Sequence, residues 1–318
     1  MKKMMALMLS LIFTIGILCG CKSEKAETFD TEKINIVCTV FPVYDWINEI
    51  VGDKADKFSV TLLGSGGDLH SFQPTAKDIS QIYTCDLFIG VGGTTEQWLD
   101  EIKAVDNKKV IKMFDFLSEG DLILTRDDIV HHDHGHHHDI SEYDEHVWLS
   151  LRLAEKLVNG ISDELCRLDS KNSSTYQINA TSYCEKLKDL DGEYQSVANA
   201  SKDRTVVFAD RFPFAYMMRD YGITTYAAFP GCSSDSDADF KVVTRLLEKV
   251  KAEDKSTVLI LEDSNESVVA AINNSLKNRQ VKAAVMDSCQ IIGSDSVDDS
   301  DYIEIMKNNL EGLRAALN

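Results

Sequence analysis

Hydrophobic and polar positions along the chain fall into a repeated order of short apolar runs and helical stripes. Ile34 to Val40 reads as a buried strand, and Pro42 to Val51 as a helix whose apolar residues recur near the 3.6 period. The unit then repeats, with a strand from Phe58 to Leu63, a glycine-rich turn, a helix from about Thr75 to Tyr83, and a strand from Leu87 to Val91. A turn at Gly92-Gly93 and a helix from Glu96 to Val105 follow. Weakly periodic polar sequence around His131 to Tyr143 interrupts this half, and two long helical segments, about Leu149 to Leu168 and Ser174 to Ala200, carry the chain onward.

A second strand and helix series begins at Thr205. It predicts strands at Thr205 to Ala209, Thr224 to Ala228, Val258 to Glu262 and Ala283 to Met286, with helices at Phe214 to Tyr221, Asp237 to Ala252, Ser267 to Asn278 and Tyr302 to Leu317. Such alternation predicts an α/β fold of two lobes with mostly parallel sheets: a first lobe over 34–148, connecting helices over 149–202 and a second lobe over 203–318. Two facing lobes leave a cleft, and in open α/β sheets ligands sit beyond the carboxyl ends of the strands. Residues just after strands are therefore the ones to inspect.

The first residues change the picture. Lys2 and Lys3 precede an apolar run from Met4 to Leu18 that closes on Cys19-Gly20-Cys21, the order of a secretory signal peptide over 1–20 with Cys21 as the lipidated first residue of the exported chain. The run is shorter than the roughly 20 residues a spanning helix needs. A polar tether over 21–33 then leads to the first strand. The expected location is extracytoplasmic, held to the cell membrane through the lipid.

Composition narrows the partners. With 33 Lys plus Arg against 52 Asp plus Glu, the formal net charge is -19, which argues against nucleic acid and suits a soluble exported protein, expected as a monomer. Beyond the anchor stand Cys38, Cys85, Cys166, Cys184, Cys232 and Cys289. An exported chain can oxidise some of them; Cys232 with Cys289 is the expected pair, whereas Cys38 and Cys85 sit in apolar runs that suit buried thiols.

All eight histidines lie between positions 70 and 146. Six crowd into one polar loop, His131, His132, His134, His136, His137 and His138, where imidazoles at this density can trade a zinc or nickel ion among several weak sites. The other two flank that loop: His70 follows the second predicted strand in Gly66-Gly67-Asp68-Leu69-His70, and His146 precedes a helix in Asp144-Glu145-His146-Val147-Trp148-Leu149. Both fall where a cleft edge is expected.

Four segments together carry a family resemblance: Phe41-Pro42-Val43-Tyr44-Asp45-Trp46; the Gly66 to Pro74 turn with His70; Cys85-Asp86-Leu87-Phe88-Ile89-Gly90-Val91-Gly92-Gly93 followed by Glu96-Gln97-Trp98-Leu99; and His146-Val147-Trp148-Leu149. The chain resembles the metal-specific solute-binding proteins of ABC transporters, the zinc and manganese uptake group that includes some bacterial adhesins. The resemblance implies two Rossmann-like lobes joined by a long rigid helix, a metal site in the interdomain cleft, His70 and His146 as first-lobe ligands, and a membrane permease as partner. It also implies that the histidine-rich loop is a zinc-type feature and an accessory collector.

The second lobe departs from that pattern. Members usually place His or Glu after the strand that here reads Val206-Val207-Phe208-Ala209-Asp210, and Ala209 cannot bind metal. The remaining candidates after strands are Asp210, Glu262 and Asp287. Of these, Asp287 stands where the resemblance places a ligating carboxylate; Asp210 has an alternative use in pairing with Arg211 or capping the next helix. Two imidazoles with carboxylates suit Zn2+, and an oxygen-rich set also accepts Mn2+. The expected function is high-affinity zinc capture for an ABC uptake system, with a manganese-binding protein of the same type or a metal-binding surface adhesin as alternatives. A secreted zinc hydrolase is disfavoured by the lack of His-Glu-x-x-His and Gly-x-Ser-x-Gly motifs, so no enzyme activity is expected.

Overall fold

The computed structural model describes residues 32–64, 67, 72–99, 101, 110–124, 143–230, 240–276, 279–293 and 295–318. The expected signal peptide and most of the tether lie outside this set. Two wholly parallel four-stranded sheets organise the chain. The first contains β1 (Ile34–Cys38), β2 (Phe58–Leu62), β3 (Leu87–Gly90) and β4 (Val110–Lys112) in the order β2-β1-β3-β4. Its register pairs Ile36 with Val60, Val37 with Phe88 and Ile89 with Ile111. The second contains β5 (Thr205–Phe212), β6 (Thr224–Pro230), β7 (Thr257–Leu261) and β8 (Lys282–Met286) in the same relative order, β6-β5-β7-β8.

Strands that are apolar on both faces need covering on both, and the helices supply it. In the first lobe these are α1 (Phe41–Val51) and α2 (Ala76–Thr84). Pro42 in its first turn is compatible with helix entry, and Val43, Trp46, Ile47, Ile50 and Val51 form the buried stripe of α1. Thr75 starts α2 through a capping box with Asp78, the two residues exchanging side-chain to backbone bonds. Two longer helices come next, α3 (Leu151–Leu168) and α4 (Ser173–Ala200). The second lobe adds α5 (Ala215–Tyr221), α6 (Phe240–Ala252), α7 (Ser267–Ser275) and α8 (Tyr302–Leu317).

The long α4, about 42 Å at 1.5 Å per residue, is the expected bridge. Near its start Asn179 Nδ2 donates to the Ile50 carbonyl at 2.9 Å, closing the end of α1, and Tyr183 Oη donates to Asp45 Oδ2 at 3.0 Å. Near its other end Tyr194 Oη donates to the Met306 carbonyl in α8 at 2.6 Å, and Asp191 accepts from Tyr221 of α5 at 3.0 Å. One helix thus grips both lobes. A single apolar core follows it across, including Trp46, Trp148, Tyr176, Tyr194 and Tyr302, all fully buried. The edge-on pair Trp46 and Tyr302, with ring centroids 5.2 Å apart, joins α1 of the first lobe to α8 of the second.

The structure differs from the sequence expectation in three places. β4 is a strand that periodicity does not reveal, because Val110–Lys112 is too short to show alternation. The helix expected from Glu96 to Val105 starts later: Thr94–Glu96 forms a 3-10 turn, helical backbone follows at Trp98, Leu99 and Glu101, and 102–109 lies outside the described residues. β5 runs on to Phe212, so Asp210 lies inside a strand and not after one. Its register with β6 shifts between Phe208 and Arg211, the irregularity that lets the strand continue.

Two glycines inside helices separate intrinsic propensity from packing. Around Gly192 in α4 an added Cβ meets nothing within 4 Å, whereas at Gly160 in α3 it would lie 2.4 Å from Phe116 Cδ1. Gly192→Ala is expected to raise stability by about 0.5 to 1 kcal/mol, from reduced backbone entropy of the unfolded chain. Gly160→Ala should instead lower it by about 1 to 3 kcal/mol through overpacking. Urea unfolding of both variants checks the contrast, and equal stabilisation would mean that α3 is not seated on Phe116.

A second prediction concerns pH. Burial pushes the Asp45 carboxyl up to about 7, opposed by the Tyr183 hydroxyl and reinforced by the charges of Asp301 and Glu49. The folded state therefore holds a proton that the unfolded chain releases near pH ~4, so stability falls as pH rises from about 4 to about 7. Asp45→Asn keeps an acceptor for Tyr183 and removes the charge. Its stability advantage over the native chain should be larger at pH 8 than at pH 5, read from denaturant midpoints at the two values.

Candidate metal centre

In each sheet the chain leaves the first strand toward one edge and returns on the other side, so the switch points lie at the carboxyl ends of β1 and β3 and of β5 and β7. His146 is presented near the first of these by the segment 143–149. Tyr143 bridges to Leu124, and the Asp144 amide donates to the Ile123 carbonyl at 2.8 Å. His146 is 3% exposed. Its Nδ1 lies 2.9 Å from Asp144 Oδ1, which also accepts the His146 amide at 2.9 Å. With Nδ1–H given to that carboxylate, the neutral imidazole carries its lone pair on Nε2, the tautomer a metal needs. The ring packs edge-on to Trp148, centroids 5.3 Å apart.

Trp148 leads to the second lobe. Its indole Nε1 donates to the Ser288 carbonyl at 2.9 Å, and Tyr302 Oη donates to the Trp148 carbonyl at 2.5 Å. Ser288 lies between the two remaining carboxylate candidates. Its Oγ donates to Glu262 Oε1 at 2.6 Å and its amide to Glu262 Oε2 at 3.1 Å, while neighbouring Asp287 accepts the Cys289 amide at 2.7 Å. From α8, Asn309 brackets the Asp287 backbone, accepting from its amide at 2.7 Å and donating to its carbonyl at 2.8 Å.

Burial raises the Glu262 carboxyl to about 7, with the Asp287 charge adding to it and the Ser288 bonds opposing. Asp287 is also raised, by burial, against the stabilising Cys289 amide. Two half-buried carboxylates held together resist ionising together, and a divalent cation between them removes that penalty. The pair is thus electrostatically suited to a cation.

Asp210 is placed differently. Its Oδ2 accepts the Leu261 amide at 3.3 Å and its Oδ1 the Arg211 amide at 2.8 Å, so the carboxylate joins β5 to β7 where regular pairing lapses. Arg211 pairs with Asp263 and approaches Asp210 Oδ1 at 3.8 Å. It also lines a cavity of about 10 Å³ together with Glu262 and Ser288. With both oxygens on backbone amides Asp210 is spent on the sheet, and the Arg211 guanidinium lies beside Asp210 and Glu262 alike.

Among the described residues no group of three His, Cys, Asp or Glu side chains forms a metal cage. His70, the loop histidines His131, His132, His134, His136, His137 and His138, and Cys21 lie outside the described residues. Cys289 is buried, and Cys232, its expected partner, also lies outside the described residues. Asp144, Trp148 and Ser288 were not among the expected site residues. The spacing Asp144-x-His146 was a usable signal, since a carboxylate two residues before a ligand can reach its ring.

A family model described as zinc-uptake complex component A, periplasmic (ZnuA), matches residues 36–316. The zinc-binding lipoprotein AdcA of Streptococcus pneumoniae is 31% identical over 321 residues, covering 99% of this chain and 61% of that protein. The chain therefore spans about three fifths of the length of these relatives. The high-affinity zinc uptake system protein ZnuA of Bacillus subtilis is 27% identical over 310 residues, covering 96% of this chain and 94% of that one. Among solved structures, the Zn(II)-bound ZnuA-like domain of S. pneumoniae AdcA superposes with a TM-score of 0.70 at 27% identity, over 90% of this chain and 99% of that chain.

The carboxylate that orients His146 generates a specific expectation. Asp144→Asn preserves shape but removes the ionised acceptor for Nδ1–H, and should weaken tight metal binding about 10- to 100-fold. A chelator competition titration measures this, and unchanged affinity would show that His146 needs no such support.

Proposed function

The chain belongs to the zinc-uptake complex component A family, and on that premise we propose that it is the extracytoplasmic zinc-binding component of an ABC uptake system that hands the ion to a membrane permease. The observation that carries this reading is the hydrogen bond from Trp148, two residues after His146, to the Ser288 carbonyl; it ties the segment bearing His146 and Asp144 to the loop that binds Glu262 and follows Asp287. The proposed ligands are His70 and His146 from the first lobe and Asp287 and Glu262 from the second, with Asp210 in a structural role. A set of two imidazoles and carboxylates favours Zn2+ over Mn2+ on intrinsic affinity. Cys21 is proposed as the lipid anchor, the loop His131 to His138 as an accessory collector, and the exported chain as a monomer that binds and releases its cargo without chemistry.

Capture works by charge and proton balance. Neutral imidazoles and ionised carboxylates close on the ion, and any proton they carry must leave. An ordinary imidazole titrates near ~6.5, and Glu262 holds its proton up to about 7 in the metal-free protein. Affinity should therefore fall as pH drops from 8 to 6, with protons released on binding. The helix α4 and the core shared by both lobes support uptake with small lobe movements.

Calorimetry with zinc and with manganese tests the proposal, on the native chain and on His70→Ala/His146→Ala and Glu262→Ala/Asp287→Ala variants. One tight zinc site, lost in both variants and weaker at pH 6 than at pH 8, is expected. Several weak sites that disappear only on deleting 131–138 would remove the cleft as the transport site.

A further inference from the structure

His146 stands at the apex of a tight turn. Its backbone has φ -81 and ψ 41, and the Val147 amide donates to the Glu145 carbonyl at 2.8 Å, the bond of an inverse γ-turn. The turn has no length to spare, so whatever holds Glu145 sets where the His146 ring begins. Glu145 is itself 5% exposed. It is taken in by the loop after β3: Oε1 accepts the Thr95 amide at 2.8 Å and the Thr94 hydroxyl at 2.9 Å, and Oε2 accepts the Thr95 hydroxyl.

The loop is shaped around this carboxylate. A Cβ on Gly93 would fall 2.1 Å from Glu145 Cγ, so only glycine leaves room. Gly92, at φ +93, donates its amide to Glu96 Oε2 at 2.9 Å, which closes the same loop on itself. Threonine hydroxyls, two glycines and two buried glutamates thus converge on a turn remote in sequence from His146. Asp144 sets the rotation of the ring; the second tether sets its origin.

We propose that Glu145, clamped by Thr94 and Thr95, is a positioning residue for metal ligation that acts through His146. The clamp holds the γ-turn against the first sheet, so that the imidazole is preorganised before the ion arrives. This rests on the reading of His146 as a ligand.

The test uses the full-length chain and zinc titrated against a competing chelator. Thr95→Val, Thr95→Ser and Glu145→Gln are each made in the native and in the His146→Ala background. The clamp predicts that Thr95→Val and Glu145→Gln weaken tight binding about tenfold or more, that Thr95→Ser restores it, and that neither weakening substitution has any effect once His146 is absent. If His146→Ala alone leaves affinity unchanged, the ligand assignment falls. If His146→Ala weakens binding while the clamp variants do not, or if these weaken it equally in both backgrounds, Glu145 does not act through His146 and the proposal is overturned.

Discussion

The hydrogen bond from the Trp148 indole to the Ser288 carbonyl is the constraint on which the rest of the site depends. It joins the segment that presents His146 to the loop that presents Asp287, and both Trp148 and Ser288 are buried. Breaking such a bond without a replacement leaves a desolvated donor and acceptor, at a cost of roughly 1 to 3 kcal/mol for each. The Tyr302 hydroxyl on the Trp148 carbonyl reinforces it from α8. Tyr216 does the same from α5, donating to the Asp144 carbonyl at 2.7 Å and accepting the Ile123 amide at 3.1 Å. The spacing of the two walls is therefore set by packing and buried polar contacts, and a shared core leaves little freedom for a hinge.

The second lobe holds an unfavourable arrangement of charge. Glu262 and Asp287 are buried enough to resist charge and close enough to repel, while Arg211 is committed to Asp263 and Asp210. A cation bound as proposed would relieve that local penalty. Asp210 shows the opposite outcome for the same residue type. Its two oxygens accept backbone amides, and it completes a sheet.

Most of the architecture was readable along the chain, since short apolar runs and 3.6-residue stripes are local properties of sequence. The strand and helix order and the two parallel sheets follow from them, whereas the bridging helix was implied by the family resemblance. The histidine positions pointed to metal in the same local way, and His146 does sit at the junction of the lobes. What escaped was non-local or too short to carry a period. β4 spans three residues; β5 continues through an irregular register that no pattern announces.

By itself the sequence determined the alternation of elements, the covering of both sheet faces and the clustering of imidazoles in the first half, because each depends on neighbours within a few turns. Only the tertiary structure decided that Asp144 and Glu145 support His146 in different ways, that Asp210 closes a sheet, and that Glu262 and Asp287 share a wall. Those roles are set by which carboxyl ends the strand order brings together, and a carboxylate takes its role from the donors that surround it in space.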